Sequence, residues 1–226
     1  MEEEAATPYP LRTKIECDLA SEPASEYRKT IVYQGTTINK AIVDYYACNT
    51  NKDRVAILQW IVERTEFQEL RRFSTNENAV YGLNISQYDD ILLSGEMPNN
   101  LAIAQKLVTN KFDVFLLSNP NSTKSADFIL RKKNLLYYAE GKTLNGKNSL
   151  DHLIAKGCQQ SNTIVIDIIG TSKINYLKKE IKKAFETYPL QEIFLLKGGR
   201  LIKIDNLTAN AKHFEDYFAR HWLQQK

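Results

Sequence analysis

From residue 113 onward the chain alternates short apolar runs with longer stretches of helical period, which restricts it to a sheet with helices packed against it. Strand-like runs fall at residues 113–117, 127–130, 135–140, 163–169, 193–196 and 201–204. The last two flank Lys197-Gly198-Gly199-Arg200, and a Gly-Gly pair supplies the positive backbone dihedrals of a tight hairpin. Helical spacing occupies residues 149–160, 174–188 and 208–225. Another helix, over residues 100–110, places Leu101, Ile103, Ala104, Leu107 and Val108 on one face, with Asn99 or Asn100 as its cap, and feeds directly into the first strand. The expected class is α+β: a mixed, largely antiparallel sheet with packed helices.

The first hundred residues read differently. Residues 1–27 hold Pro8, Pro10 and Pro23 among Glu, Ala and Ser without a sustained hydrophobic period, the pattern of a flexible arm. A short strand-like run at 30–34 stops at Gly35. Residues 39–48 and 52–66 then carry two helical patterns through Ile42, Tyr46, Val55, Leu58, Trp60 and Ile61, and 68–95 is polar and unassigned. The expected layout is an arm (1–27), a mainly helical region (28–98) and an α+β domain (99–226).

A composition of 43% hydrophobic and 25% charged residues over 226 positions excludes collagen-like and wholly disordered chains. The net charge of +3 is less informative than its distribution. Residues 1–110 carry 11 Lys and Arg against 16 Asp and Glu, whereas residues 111–226 carry 19 against 11. A basic C-terminal half suits a polyanionic partner. Cys17, Cys48 and Cys158 form no CxxC pair and lie near no histidine at metal-ligand spacing, so neither a disulfide framework nor structural zinc is expected. Met1-Glu2-Glu3-Glu4 lacks the layout of a secretory signal, and eighteen apolar residues never run together. The expectation is a cytoplasmic protein without a membrane partner.

Chemistry concentrates between residues 125 and 168. Asp127 opens one strand-like run, and Glu140-Gly141-Lys142-Thr143 closes the next; a hairpin would bring them together. Glu140 and Lys142 are two apart, so an extended backbone puts them on one face. Carboxylates beside an ammonium suit phosphodiester cleavage: a carboxylate takes a proton or holds a divalent cation, and lysine balances charge developing on phosphorus. The Thr143 hydroxyl could donate to the same phosphate. Asp167 interrupts an apolar run and needs a partner, because an unpaired buried carboxylate costs several kcal/mol. Gln160, ending the preceding helix, could reach the same face. Arg131, Lys132, Lys133 and Lys147, with Lys178, Lys179, Lys182 and Lys183 on the helix from Ile174, are candidates for nucleic-acid contact; the helical lysines equally suit the solvated side of an amphipathic helix. Tyr137 and Tyr138 interleave with this charge but alternate to opposite faces.

The order of these pieces resembles the C-terminal toxin domain of contact-dependent growth-inhibition effectors, the CdiA-type tRNA nucleases, grouped with barnase, EndoU, colicin and RelE-like ribonucleases. The resemblance rests on Ala126-Asp127-Phe128-Ile129, on Glu140-Gly141-Lys142-Thr143, on residues 146–149, on Gln160-Ser161-Asn162 and on Val165-Ile166-Asp167, preceded by a helix with Ile103-Ala104-Gln105-Lys106-Leu107 and the strand after Phe112. It covers residues 100–204, a little under half the chain. Ala139-Glu140-Gly141 departs from the pattern in being less apolar.

The resemblance implies RNA cleavage, with tRNA as target, by attack of the substrate's own 2′-hydroxyl without metal or cofactor, and it leaves room for an immunity protein as partner. In that scheme Glu140 is the base or orients it, Lys142 stabilises the phosphate, Asp127 assists or braces its strand, and His152 is the candidate acid. The spacing of Asp127, Glu140 and Lys142 equally resembles a metal-dependent nuclease of restriction-endonuclease type, in which carboxylates hold Mg²⁺ and the lysine orients water. A third reading is a catalytically silent nucleic-acid-binding accessory protein.

Overall fold

Two threonines start the helical N-terminal part of the computed structural model, which describes residues 33–83, 97–117, 125–146 and 148–223. The expected arm (1–27), most of the 30–34 run and Lys147 lie outside the described residues. Thr37 accepts from the Lys40 N–H to cap α1 (Ile38–Ala47), and Thr50 accepts from the Asp53 N–H to cap α2 (Asn51–Val62). Of the positions expected to be apolar, Ile42 of α1 and Leu58 and Ile61 of α2 are buried, whereas Tyr46 and Val55 are exposed; Ile57 takes the inward place instead of Val55.

The stretch after α2 differs from expectation. It holds β1 (Phe67–Glu69), a 3₁₀ turn (Arg71–Phe73) and β2 (Val80–Leu83), and β1 pairs antiparallel with β2. These strands are three and four residues long, too short for a two-residue alternation to stand out from polar surroundings. β2 runs parallel to β3 (Asp113–Leu116), with Val80 opposite Val114, so the sheet continues across the boundary expected near residue 98.

Beyond α3 (Met97–Thr109) and β3, the order is β4 (Phe128–Lys132), β5 (Leu135–Leu144), α4 (Leu150–Gly157), β6 (Thr163–Ile168), α5 (Ile174–Thr187), β7 (Glu192–Lys197), β8 (Arg200–Asp205), α6 (Asn206–Asn210) and α7 (Phe214–Leu223). The expected single helix over 208–225 is thus two. Asn210 turns its amide back onto the Asn206 carbonyl and side chain, and Ala211 is extended. The eight strands form one mixed sheet in which spatial order equals chain order. Pairings β2/β3, β5/β6 and β6/β7 are parallel and the other four antiparallel. Two hairpins use two-residue turns: Gly198 and Gly199 have φ of 55° and 82°, and Lys133, which starts the other turn, has φ of 55°.

Side-chain alternation divides the core. On one face, Ile164, Ile166, Ile193, Leu195 and Ile202 pack against α4, α5 and α7, while Phe115, Ile129 and Tyr138 pack against α1 and α2. The other face, with Phe128, Ala139, Val165, Phe194 and Leu196, is covered by α3. The seam between the two helix groups of the first face falls over β5. No helix among the described residues is long and apolar enough to cross a membrane.

Phe194, 1% exposed, meets Tyr137 and Phe112 edge-on at centroid distances of 5.3 and 5.5 Å. Phe194→Ala should lower unfolding stability by about 3–5 kcal/mol, the usual cost of truncating a core aromatic, with a lower urea midpoint and an unchanged slope.

Candidate active site

β4 and β5 pair with Phe128 opposite Ala139, and one further step of that register sets Asp127 opposite Glu140. The Asp127 side chain lies at that end of the hairpin, within reach of α3 as well as of Glu140. Asp127 is fixed at several atoms. Its carbonyl accepts from the Leu117 N–H, Oδ2 accepts from the Gly141 N–H at 2.9 Å, and Oδ1 accepts from Asn100 Nδ2 at 2.9 Å. Glu140, 2% exposed, is ion-paired with Lys142, the next residue on the same face of β5. The Gln160 amide lies against the same carboxylate; turned with its nitrogen inward, it donates to Oε2 at 3.0 Å and also to Oε1. Asp127, Glu140, Lys142 and Gln160 thus converge at the seam above β5.

Burial first, and the charge of Asp127 second, push the Glu140 carboxyl up to about 8. Lys142 opposes this shift and is outweighed, so Glu140 is poised to exchange a proton near neutrality. Gly141 has a steric reason to be small. A Cβ there would lie 2.6 Å from the Phe128 ring and 3.3 Å from Asp127 Oδ2, so the departure from the apolar pattern at this position is what lets Asp127 reach the backbone.

The remaining candidates lie elsewhere. Thr143 alternates to the opposite face, beside Asp167 in the β5/β6 register, and cannot donate to a phosphate held by Lys142. Asp167, buried on that opposite face, is ion-paired with Lys106 Nζ of α3 at 2.5 Å, while its Oδ1 has no hydrogen-bond partner among the described residues; it braces the sheet against α3. His152 stands on the exposed side of α4, away from buried Leu150, Leu153 and Ile154, and its backbone N–H is taken by the Ser149 cap. No hydrogen bond or ion pair among the described residues joins its ring to the carboxylates.

Arg131 donates through Nε and Nη2 to Asp113 Oδ2 at 3.1 and 2.9 Å and lies over Phe115. Lys132 donates to the Asn110 carbonyl and covers Phe112, and Lys133 occupies the turn. All three sit toward the far end of the hairpin, about 13–20 Å along β4 from Asp127 at ~3.3 Å per residue. On α5, Lys178 pairs with Glu215 and Lys183 with Asp151, whereas Lys179 and Lys182 are exposed.

Comparisons with protein-family models, curated protein sequences and solved structures found no match to this chain. The function therefore has to be argued from the site itself.

Three residues escaped the sequence reading. Asn100 looked like a cap, but α3 starts at Met97, so Asn100 sits inside the first turn and its amide is free to hold Asp127. Lys106 is the one charge on an otherwise apolar helix face, and the uncompensated Asp167 was the cue that a cation must arrive there. Tyr46, from α1, reaches the Gln160 backbone, and no local pattern signals a contact across 114 positions.

Because the Glu140 carboxyl is raised in the folded state, folding favours its protonated form. Its contribution to stability is present below the unfolded value of 4.5 and declines as pH rises toward about 8. Glu140→Gln should therefore become progressively more stable than the parent between these limits, by at most ~1.4 kcal/mol per pH unit, while the two converge at lower pH. Paired urea titrations across that range measure the difference.

Proposed function

We propose that this protein is a nuclease that cleaves phosphodiester bonds, with RNA as substrate. The observation that carries the reading is the convergence of Asp127, Glu140, Lys142 and Gln160 at one end of the β4/β5 hairpin, with the Asp127 charge acting on Glu140 and the Lys142 ammonium paired with it. The basic C-terminal half and the exposed Lys179 and Lys182 support an anionic substrate.

Cation-assisted hydrolysis fits the carboxylates best. Two acidic side chains forced together in a buried setting repel when both ionise, and a divalent cation relieves that repulsion as protonation of Glu140 does in its absence. No cluster of three or more His, Cys, Asp or Glu suited to a metal occurs among the described residues. A magnesium-type ion fits such a sparse set, because it takes one or two carboxylates and completes its shell with water and substrate phosphate. Asp127 and Glu140 would hold it, and it would supply an acidified water and charge neutralisation at phosphorus. The chain's own residues do the rest. Gln160 and Asn100 keep the carboxylates oriented, and Lys142 positions a water or phosphate oxygen and balances the developing negative charge.

One observation favours a second chemistry. A Glu140 carboxyl titrating near neutrality is what a general base for 2′-hydroxyl attack requires. That route also needs a proton donor for the leaving oxygen, and His152 is not at the site.

Purified protein should cleave RNA. Asp127→Ala, Glu140→Ala and Lys142→Ala should each lower the rate by at least ~10²-fold with little change in fold by circular dichroism. Abolition by excess chelator, with recovery on adding Mg²⁺, is expected for the cation-assisted route; cleavage that persists in chelator and spares DNA would leave the 2′-hydroxyl route. Cells expressing the parent should grow more slowly than cells expressing Lys142→Ala. Absence of cleavage of any nucleic acid together with equal growth would overturn the nuclease reading.

A further inference from the structure

Asp127 and Gln160 both stand just outside regular elements, one ahead of β4 and the other past α4. Each is nevertheless anchored next to a tyrosine hydroxyl. The Ala126 N–H donates to Tyr138 Oη at 3.0 Å, and Tyr46 Oη donates to the Gln160 carbonyl at 2.6 Å. The two hydroxyls are 3.4 Å apart, and the rings meet edge-to-face with centroids 5.8 Å apart. The Tyr138 carbonyl accepts from Ser161 Oγ at 2.5 Å, tying down the residue after Gln160. Tyr138 is itself clasped by Tyr45 of α1, at 4.6 Å between centroids.

From this geometry we infer that Tyr46 is a positioning residue. Its hydroxyl fixes the Gln160 backbone so that the amide stays against Glu140, and with Tyr138 it sets the spacing between the segments that carry Asp127 and Gln160. The catalytic consequence rests on the nuclease reading; the positioning itself does not. α1, outside the segment that supplies the acids and the lysine, thereby completes the site. Burial, above all, and the neighbouring Tyr138 push the Tyr46 hydroxyl well above its ordinary range, which favours its protonated, donating form. The groups facing Glu140 are Asp127 ahead of β4, Lys142 of β5, Gln160 after α4, and the hydroxyls of Tyr46 and Tyr138.

Tyr46→Phe removes the hydroxyl and keeps the ring, so the aromatic packing survives. Two measurements on the full chain test the role, with Gln160→Ala as reference. In ¹H–¹⁵N NMR spectra, the Gln160 side-chain amide should shift and exchange faster with solvent in Tyr46→Phe, because the segment that holds it against Glu140 is released, and Gln160→Ala, which lacks that amide, identifies the signal. In RNA cleavage, Tyr46→Phe should lower kcat about tenfold, near the upper end of what one hydrogen bond supports, with KM within about twofold. A Gln160 amide signal in Tyr46→Phe that overlays the parent's, or a change confined to KM, would overturn the inference. If the parent cleaves nothing, the nuclease reading falls and the NMR comparison alone decides the positioning role.

Discussion

The antiparallel register of β4 against β5 governs where the acidic groups fall. With Phe128 opposite Ala139, those two residues point at α3 while Tyr138, Glu140 and Lys142 point at the seam between α1 and α4. Moving β5 by one residue would put Glu140 and Lys142 under α3, among Val165, Phe194 and Leu196, and expose Ala139 in their place. Three features pin the register: the two-residue turn at Lys133-Asn134, the burial of Ile129 and Tyr138 on one face with Phe128 on the other, and the Gly141 N–H bound to Asp127 Oδ2. The parallel pairing of β5 with β6 then requires a crossover, and α4 makes it, delivering Gln160 above Glu140.

This arrangement opposes folding locally. A carboxyl buried beside another carboxyl resists ionisation, and one lysine does not fully compensate. Neighbouring elements offset the strain with donors: Asn100 from α3, the Gly141 backbone and the Gln160 amide. Asp167 and Lys106, on the reverse side of the same strands, are a simpler case, one buried charge met by one cation and held against α3. The sheet therefore carries acids on both faces.

How much of this could be read from the chain depends on how local each signal is. The strands after residue 113 and their helices were legible because each spans at least four residues of regular period, and the Gly198-Gly199 turn because its backbone needs two positive dihedrals. The shared face of Glu140 and Lys142 follows from a spacing of two, and that same rule sends Thr143 to the other side. What was not legible is pairwise and distant. Arg131 looked like a phosphate ligand until Asp113 was found beside it, and Tyr46 looked like one more apolar position on a helix. β1 and β2 are too short to carry a period of their own and become strands only by pairing within the sheet.

In this sheet every strand neighbours its predecessor and successor in the chain. A polypeptide leaving the ribosome N-terminus first meets no strand that must wait for a distant partner, and each new strand can add to an edge already formed. The growing edge is then a succession of temporary ones, and it comes to rest at β8, whose Arg200, Lys203 and Asp205 put charge along the final border. Assembly from one end and a charged stop at the other are both consequences of the same unbroken strand order.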